Sequence, residues 1–174
     1  MSVFAASHKT WTTRELCLTA VMTSVVFIAT FVPKIPIPLG YAHLGDAAIF
    51  LLVVLAGRRE GIWAGCLGSA LADFIGGFAL WIGPTLLIKF LMAETFVRLR
   101  ATDDGWLKSP RTFIALTAAG LVMAAGYTLF GALLYDSLAA GLSSAPGLLL
   151  EGVVNIAAFY LAAAVAAKGH HLKP

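Results

Sequence analysis

The chain has 174 residues, of which 60% are hydrophobic and only 12% are charged, and its formal net charge is +3. Because a soluble domain carries about 25% charged residues, this composition excludes an ordinary soluble protein and predicts an integral membrane protein. A basic chain can bind nucleic acid, but in a membrane protein the excess of Lys and Arg is expected in cytoplasmic loops. We therefore expect a lipid bilayer, and no nucleic acid, around this chain.

Six apolar segments predict an all-α fold, a bundle of six transmembrane helices in a single membrane domain that covers 1–174. Prolines after the first segment end it, because proline cannot continue a helix. A rigid, apolar, lid-like loop is expected at 33–43. The second segment is short for a bilayer that needs about 20 residues, so it is expected to tilt or to begin below the outer surface. The helices are expected at about 14–32, 44–56, 61–78, 81–97, 111–135 and 147–167.

The distribution of Lys and Arg predicts the orientation of the bundle. With the N-terminus inside, ten of the 12 Lys and Arg residues face the cytoplasm, whereas Lys34 falls outside and Lys89 lies within a helix. Cytoplasmic loops are enriched in these residues, so both termini are expected in the cytoplasm. The ten are Lys9, Arg14, Arg58, Arg59, Arg98, Arg100, Lys108, Arg111, Lys168 and Lys173.

Polar side chains from several predicted helices and from the lid-like loop converge in the outer half of the bilayer. A rise of about 1.5 Å per residue places most of them roughly 6–12 Å below the outer helix ends. Ionisable groups inside membrane helices are costly, so they mark a site or a pathway by default. We predict a pocket, open to the outside, for a small ring-bearing molecule. Its predicted substrate-binding residues are Tyr41, His43, Asp46, Trp81, Thr85, Lys89, Tyr127, Glu151 and Asn155.

Some of these acidic and basic groups have a structural interpretation as well. A buried network is expected to pair Asp73 with Lys89 as a structural ion pair, with Glu151 as the other possible partner, and so to offset the burial of charge. With the Asp73–Lys89 pair formed, Glu151 and Asn155 are left as groups that select the ligand. Asp46 is expected either to cap the second helix or, with His43, to act as the hinge of a lid.

Small residues at a spacing of four predict close contacts between membrane helices. The third segment has two such stripes, which predict tight packing against neighbouring helices. Ala20 and Ser24 have the same spacing on the first segment, and the residues alone leave open whether they pack internally or face a partner protein. The two stripes of the third segment are Gly61-Gly65-Ser69 and Ala64-Gly68.

Other kinds of chemistry find little support in the sequence. The chain lacks the motif G-x-x-x-x-G-K-[ST], so it is not expected to use ATP through a P-loop. Of the four histidines only His43 is near acidic residues, so neither a metal nor another cofactor is expected. An intramembrane enzyme that uses Asp46, Asp73 or His43 on a lipid-soluble substrate remains an alternative, as does a scaffold without a ligand. A one-sided pocket in so small a chain implies a partner.

Three stretches resemble the substrate-binding (S) components of energy-coupling factor (ECF) transporters, a family of ABC-type importers: YAHLGDAAIF, GxxxGxxGSALADFIGGF and W-x-x-P-T-L-L-I-K. The resemblance covers about 13–89 well and 151–161 loosely. It is nearest to the riboflavin-type branch, which includes pyridoxine and hydroxymethylpyrimidine carriers. The resemblance implies a six-helix subunit that does no chemistry and captures a vitamin near its outer face, under the loop between helices one and two.

The same resemblance implies partners and a location. The subunit is expected in the cell membrane of a prokaryote as a multi-pass protein, where it delivers the vitamin inward with a transmembrane coupling (T) protein and two ABC ATPases. The family's small-residue motif on helix one contacts the coupling protein, and Ala20 and Ser24 occupy that pattern, with Ser in place of the usual Ala. Pyridoxine or hydroxymethylpyrimidine is the favoured ligand, and riboflavin or pantothenate is the alternative. Helix six keeps Asn155 but lacks the family's common glutamine nearby.

Overall fold

A computed structural model describes residues 10–37 and 40–168. This part of the chain forms six α-helices and one two-stranded antiparallel hairpin, whose strands β1 (Ile35–Ile37) and β2 (Gly40–Ala42) lie between the first two helices. The prediction of an all-α membrane fold is confirmed. The helices are α1 (Thr13–Phe31), α2 (Gly45–Ala56), α3 (Arg58–Ile75), α4 (Ile82–Leu99), α5 (Pro110–Leu134) and α6 (Leu138–Lys168), and short 3₁₀ turns cover Ala79–Trp81 and Trp106–Lys108.

Within the described ranges, four stretches of helix are long and apolar enough to cross a membrane. They are α1, α5, α6 and Ala79–Leu99, the stretch that contains α4. The α2 helix is apolar but has 12 residues, about 18 Å of helix, which is shorter than a hydrocarbon core of about 30 Å. Many large apolar side chains point outward, such as Leu138, which is 77% exposed. Outward-facing apolar side chains of this kind suit helices that contact lipid.

The sixth helix is longer than the sequence analysis predicts. It begins at Leu138, although the stretch before position 147 was expected to form a loop, and Pro146 lies inside it. The Ser137 side chain stabilises this earlier start, because its Oγ accepts a hydrogen bond from the Ala140 N–H at 3.2 Å. Membrane helices tolerate an internal proline because neighbouring groups satisfy the freed backbone atoms.

Small residues let α3 pack closely against α1 and α2. A methyl group added to Gly65 would lie 2.9 Å from side-chain carbons of Ile49 on α2, and one added to Gly68 would lie 2.7 Å from the carbonyl oxygen of Thr23 on α1. Both distances are shorter than a normal contact. The small-residue stripes of α3 therefore mediate helix contacts inside the bundle, as predicted.

We expect Gly68→Ala to destabilise the protein by about 1–3 kcal/mol, because the carbonyl oxygen that the new methyl group meets belongs to the Thr23 backbone and cannot move aside. The matched control is Gly83→Ala, since among the described residues no atom beyond its chain neighbours and the nearby backbone of its own helix lies within 4 Å of a Cβ at that position. Thermal unfolding in mild detergent measures both variants. Equal melting temperatures would contradict a tight α1–α3 contact.

The two ends of the bundle differ in chemistry. At the end that contains the α2–α3 junction, here called the basic end, Glu94 accepts hydrogen bonds from Arg58 at 2.9 Å and from Arg98 at 2.7 Å. Between the ends lies a core of aromatic side chains, in which the rings of Phe50 and Phe96 are 4.9 Å apart. The opposite end, here called the hairpin end, contains the β-hairpin and most of the polar residues that the sequence analysis selected.

Candidate functional site

Side chains from outside α2 satisfy the first backbone N–H groups of this helix. The Gly45 N–H donates to His43 Nδ1 at 3.1 Å, and the Ala47 N–H donates to Asn155 Oδ1 of α6 at 2.8 Å. The residue at the N-cap position, Leu44, makes no side-chain capping bond to the described residues. His43 and Asn155 thus cap α2, and Asp46 is not needed for that role.

Asn155 fastens α6 to the chain that leads into α2. Its Nδ2 donates to the carbonyl oxygens of His43 at 2.7 Å and of Glu151 at 3.0 Å. Together with the bond from Ala47, the buried amide makes three hydrogen bonds to backbone atoms. Its geometry is that of a residue that positions the site, and its contact with a ligand stays a prediction.

Lys89 of α4 pairs with Asp46 of α2, and both side chains are buried. The predicted ion pair between Lys89 and Asp73 is therefore corrected. The reason is that α2 is short and begins inside the bundle, so its first turn lies deeper than a helix start at the membrane surface would. A buried ammonium requires a partner, and Asp46 supplies it.

His43 and Glu151 are close together but do not form an ion pair. Their Nδ1 and Oε1 atoms are 3.2 Å apart. Burial, assisted by the positive charge of Lys89, lowers the pKa of His43 in the loop before α2 to about 3, so the ring is neutral at physiological pH. Because Nδ1 accepts the Gly45 N–H, it has no proton to donate, and Glu151 Oε1 has no hydrogen-bond partner among the described residues. This buried oxygen is available to a ligand.

An aromatic wall lies beside the ion pair. Trp81 Nε1 donates to Tyr135 OH at 3.3 Å, and the rings of Trp81 and Tyr127 are 5.6 Å apart. The hydroxyls of Tyr127 and Thr85 are hydrogen-bonded at 3.1 Å. The ammonium of Lys89 lies 5.3 Å from the centroid of the Tyr127 ring. The wall therefore offers flat apolar faces next to a charged centre.

The hairpin covers this end of the site with a second set of rings. The ring of Tyr41 lies 5.7 Å from that of His43 and 5.5 Å from that of Phe78. Lys34 Nζ lies 3.7 Å from the Phe31 ring centroid and 4.5 Å from that of Tyr41. Cation–π contacts of this length stabilise the observed position of the hairpin. Pro38 and Leu39 at the tip of the predicted lid lie outside the described residues.

The structure brings the predicted substrate-binding residues into neighbouring positions at the hairpin end. Sequence reasoning missed Tyr135, although it follows Tyr127 by eight residues, a spacing that places two side chains on one side of a helix. It also missed Phe78, and it assigned Ser69 only to a small-residue stripe. Within the described ranges, no group of three or more His, Cys, Asp or Glu residues is arranged to hold a metal ion.

Ala20 and Ser24 lie on an exposed face of α1. The buried face of α1 carries other residues, among them Met22 and Val26, which are 3% and 0% exposed. Ser24 Oγ donates to the Ala20 carbonyl oxygen at 3.2 Å, so the serine satisfies its own hydroxyl within the helix. The pair therefore does not serve packing inside the described bundle, and its contact with a coupling protein stays a prediction.

An apolar helical bundle with unpaired buried polar atoms beneath a hairpin is consistent with a class of membrane protein that binds small molecules. The chain belongs to the ECF-type riboflavin transporter S component family, whose model matches residues 10–168. The predicted resemblance to ECF S components is confirmed, and the chain is therefore the substrate-binding subunit of a vitamin transporter. The family implies a small-molecule ligand and T protein and ATPase partners.

One curated relative has a description that states no function. It is a protein of Pyrococcus woesei described as "Uncharacterized protein in gap 3'region". The two sequences are 37% identical over 112 residues, which are 63% of this chain and 73% of the relative. The particular closeness to pyridoxine or hydroxymethylpyrimidine carriers stays a prediction.

Proposed function

We propose that the chain captures a flat, heteroaromatic vitamin at the hairpin end and delivers it inward together with a T protein and two ABC ATPases. Riboflavin is the first candidate, because the matching family is described by that vitamin. Pyridoxine or hydroxymethylpyrimidine, which the sequence analysis favours, is the second. The observation that carries the proposal is the unpaired, buried Oε1 of Glu151 next to aromatic rings.

The chemistry of the site suits a ring that carries hydrogen-bond donors. The faces of Tyr41, Trp81 and Tyr127 offer stacking surfaces for a flat ring. Glu151 offers an acceptor to a ring N–H or a hydroxyl group of the ligand. A molecule without such a donor would leave Glu151 Oε1 unpaired, at a cost of about 1–3 kcal/mol. Selection among similar molecules follows from that cost.

We further propose six membrane spans with both termini in the cytoplasm of a prokaryotic cell. The proposal rests on the positive-inside rule, since Arg58 and Arg98 lie at the basic end. The ligand site at the hairpin end then faces the outside. Lys9, Lys173 and the histidines at positions 8, 170 and 171, which also entered the sequence analysis, lie outside the described residues.

Titration of the purified chain with riboflavin, pyridoxine and hydroxymethylpyrimidine tests the ligand assignment. Trp81 lies in the wall of the site, so quenching of its fluorescence reports binding, and a Trp81→Phe variant identifies that part of the signal. We expect saturable binding of riboflavin with one molecule per chain. Tighter binding of pyridoxine or hydroxymethylpyrimidine would shift the assignment to that vitamin, and no binding of any of the three would refute the proposed ligand class.

Added bulk on the exposed α1 face tests the proposed contact with the T protein. Ala20→Leu is expected to weaken co-purification of the T protein about 10-fold, because small-residue faces require close approach of the helix backbones. Ligand affinity should not change. Ala157→Leu, at an exposed position of α6, is the matched control. Equal recovery of the T protein with both variants would show that this face of α1 does not contact it.

A further inference from the structure

The ion pair between Asp46 and Lys89 leaves the carboxylate of Asp73 on α3 without its expected partner. Oδ2 of Asp73 is buried and has no hydrogen-bond partner in the described part of the chain. A buried carboxylate oxygen that makes no hydrogen bond costs free energy. Such an atom calls for an explanation, and a missing ligand is one.

Neighbouring atoms extend the same surface. Ser69 precedes Asp73 by one helical turn, on the same side of α3, and its buried Oγ also lacks a partner among the described residues. The hydroxyl of Thr85 lies next to the Asp73 carboxylate, and Thr85 is hydrogen-bonded to Tyr127. Asp73 thus connects the α3 side of the site to the aromatic wall.

The hairpin covers this part of the site as well. The hydroxyl of Tyr41 on β2 is buried, and no hydrogen-bond partner for it is present in the residues that the structure describes. Tyr41 lies within electrostatic reach of both Asp73 and Glu151. The unpaired carboxyl oxygens of α3 and α6 therefore belong to two side chains that both act electrostatically on Tyr41 of β2.

We propose that Asp73 is a specificity-determining residue, whose Oδ2 accepts a hydrogen bond from an N–H or O–H group of the bound vitamin. Glu151 on α6 and Asp73 on α3 then select a ring with donor groups at two separate positions. The inference rests on the proposed function and adds a second point of recognition to the same site. A ligand that lacks the donor group bound by Asp73 should therefore lose affinity for the wild type but not for a variant without the Asp73 carboxylate.

Two variants and one control test the inference. Asp73→Leu removes both acceptor oxygens at similar volume and is expected to weaken vitamin binding at least about 10-fold. Asp73→Asn keeps one oxygen and is expected to show an intermediate loss of vitamin affinity. If Asp73→Leu fails to fold, the affinity of Asp73→Asn tests the role of Asp73. Asp104→Asn, at an exposed position of the basic end, should bind as the wild type does. The probes are riboflavin, pyridoxine and hydroxymethylpyrimidine.

Flavin analogues separate specificity from a structural effect. If riboflavin is the ligand, two analogues each lack one kind of donor: 3-methylriboflavin lacks a ring N–H, and lumiflavin lacks the ribityl hydroxyls. The analogue that lacks the donor bound by Asp73 should bind the wild type at least about 10-fold more weakly than riboflavin does. That penalty should disappear in Asp73→Leu. Wild-type affinity in both folded Asp73 variants would overturn the inference, and so would an Asp73→Leu chain in which neither analogue loses its penalty. Failure of the wild type to bind any of the three vitamins would instead refute the proposed function.

Discussion

Replacement of Lys89 by Met is expected to destabilise the protein by about 3–5 kcal/mol, because Asp46 would then remain buried without a counter-charge. The double variant Asp46→Leu/Lys89→Met should recover much of this loss, since an apolar pair of similar volume replaces a buried ion pair at little cost. Denaturant or thermal unfolding in mild detergent measures the three chains. Lys168→Met, at an exposed position of α6, is the control for the loss of a lysine.

The same variants separate two roles of Lys89. If the ion pair only fastens α2 to α4, the double variant should bind the vitamin nearly as well as the wild type. If Lys89 also contacts the ligand, as the sequence analysis predicts, the double variant should be stable but bind weakly. A Lys89→Met chain as stable as the Lys168→Met control would show that the pair does not stabilise the bundle.

Glu151→Gln is expected to weaken vitamin binding about 10–100-fold with little change in the stability of the unliganded chain. The variant keeps the shape of the side chain but replaces one carboxyl oxygen by an amide NH2 group, which cannot accept a hydrogen bond, and a buried donor of the ligand left unpaired costs about 1–3 kcal/mol. Stability should hold because Oε1 makes no hydrogen bond to the described residues that the substitution would break. Ligand titration and thermal unfolding of the same preparation give both quantities.

Glu60→Gln is the matched control for Glu151→Gln, because Glu60 belongs to the first turn of α3 at the basic end. It should leave vitamin affinity unchanged. Unchanged affinity in Glu151→Gln would remove Glu151 from the site. A large loss of stability in that variant would assign Glu151 a structural role and leave the ligand without its main acceptor.

The sequence predicts which residues lie at the site better than it predicts how they pair. Depth along each helix follows from a constant rise per residue, so Lys89, Tyr127 and Asn155 could be placed at similar levels. The ion-pair partner of Lys89 could not be predicted, because it depends on where α2 begins. The residues before α2 form a β-hairpin at this end of the bundle, and α2 begins after it with Asp46 in contact with the lysine of α4.

Two further differences between the expected and the observed structure concern α6. Pro146 suggests a helix boundary, but a membrane helix can continue through proline when its neighbours satisfy the backbone, and α6 does so. Asn155 was expected to select the ligand because it is a buried polar residue one turn from Glu151. Two of its three bonds to backbone atoms join α6 to the start of α2 and the residue before it, more than one hundred positions earlier in the chain, and no local pattern reveals them.

Native mass spectrometry of the gently solubilised complex tests the central claim most directly, because it detects bound small molecules and partner chains together. We predict a vitamin-sized mass on the chain, and a T protein with two ATPases attached to it. A chain with neither ligand nor partners would contradict the account, and turnover of a lipid-soluble substrate by that isolated chain would favour an intramembrane enzyme in its place.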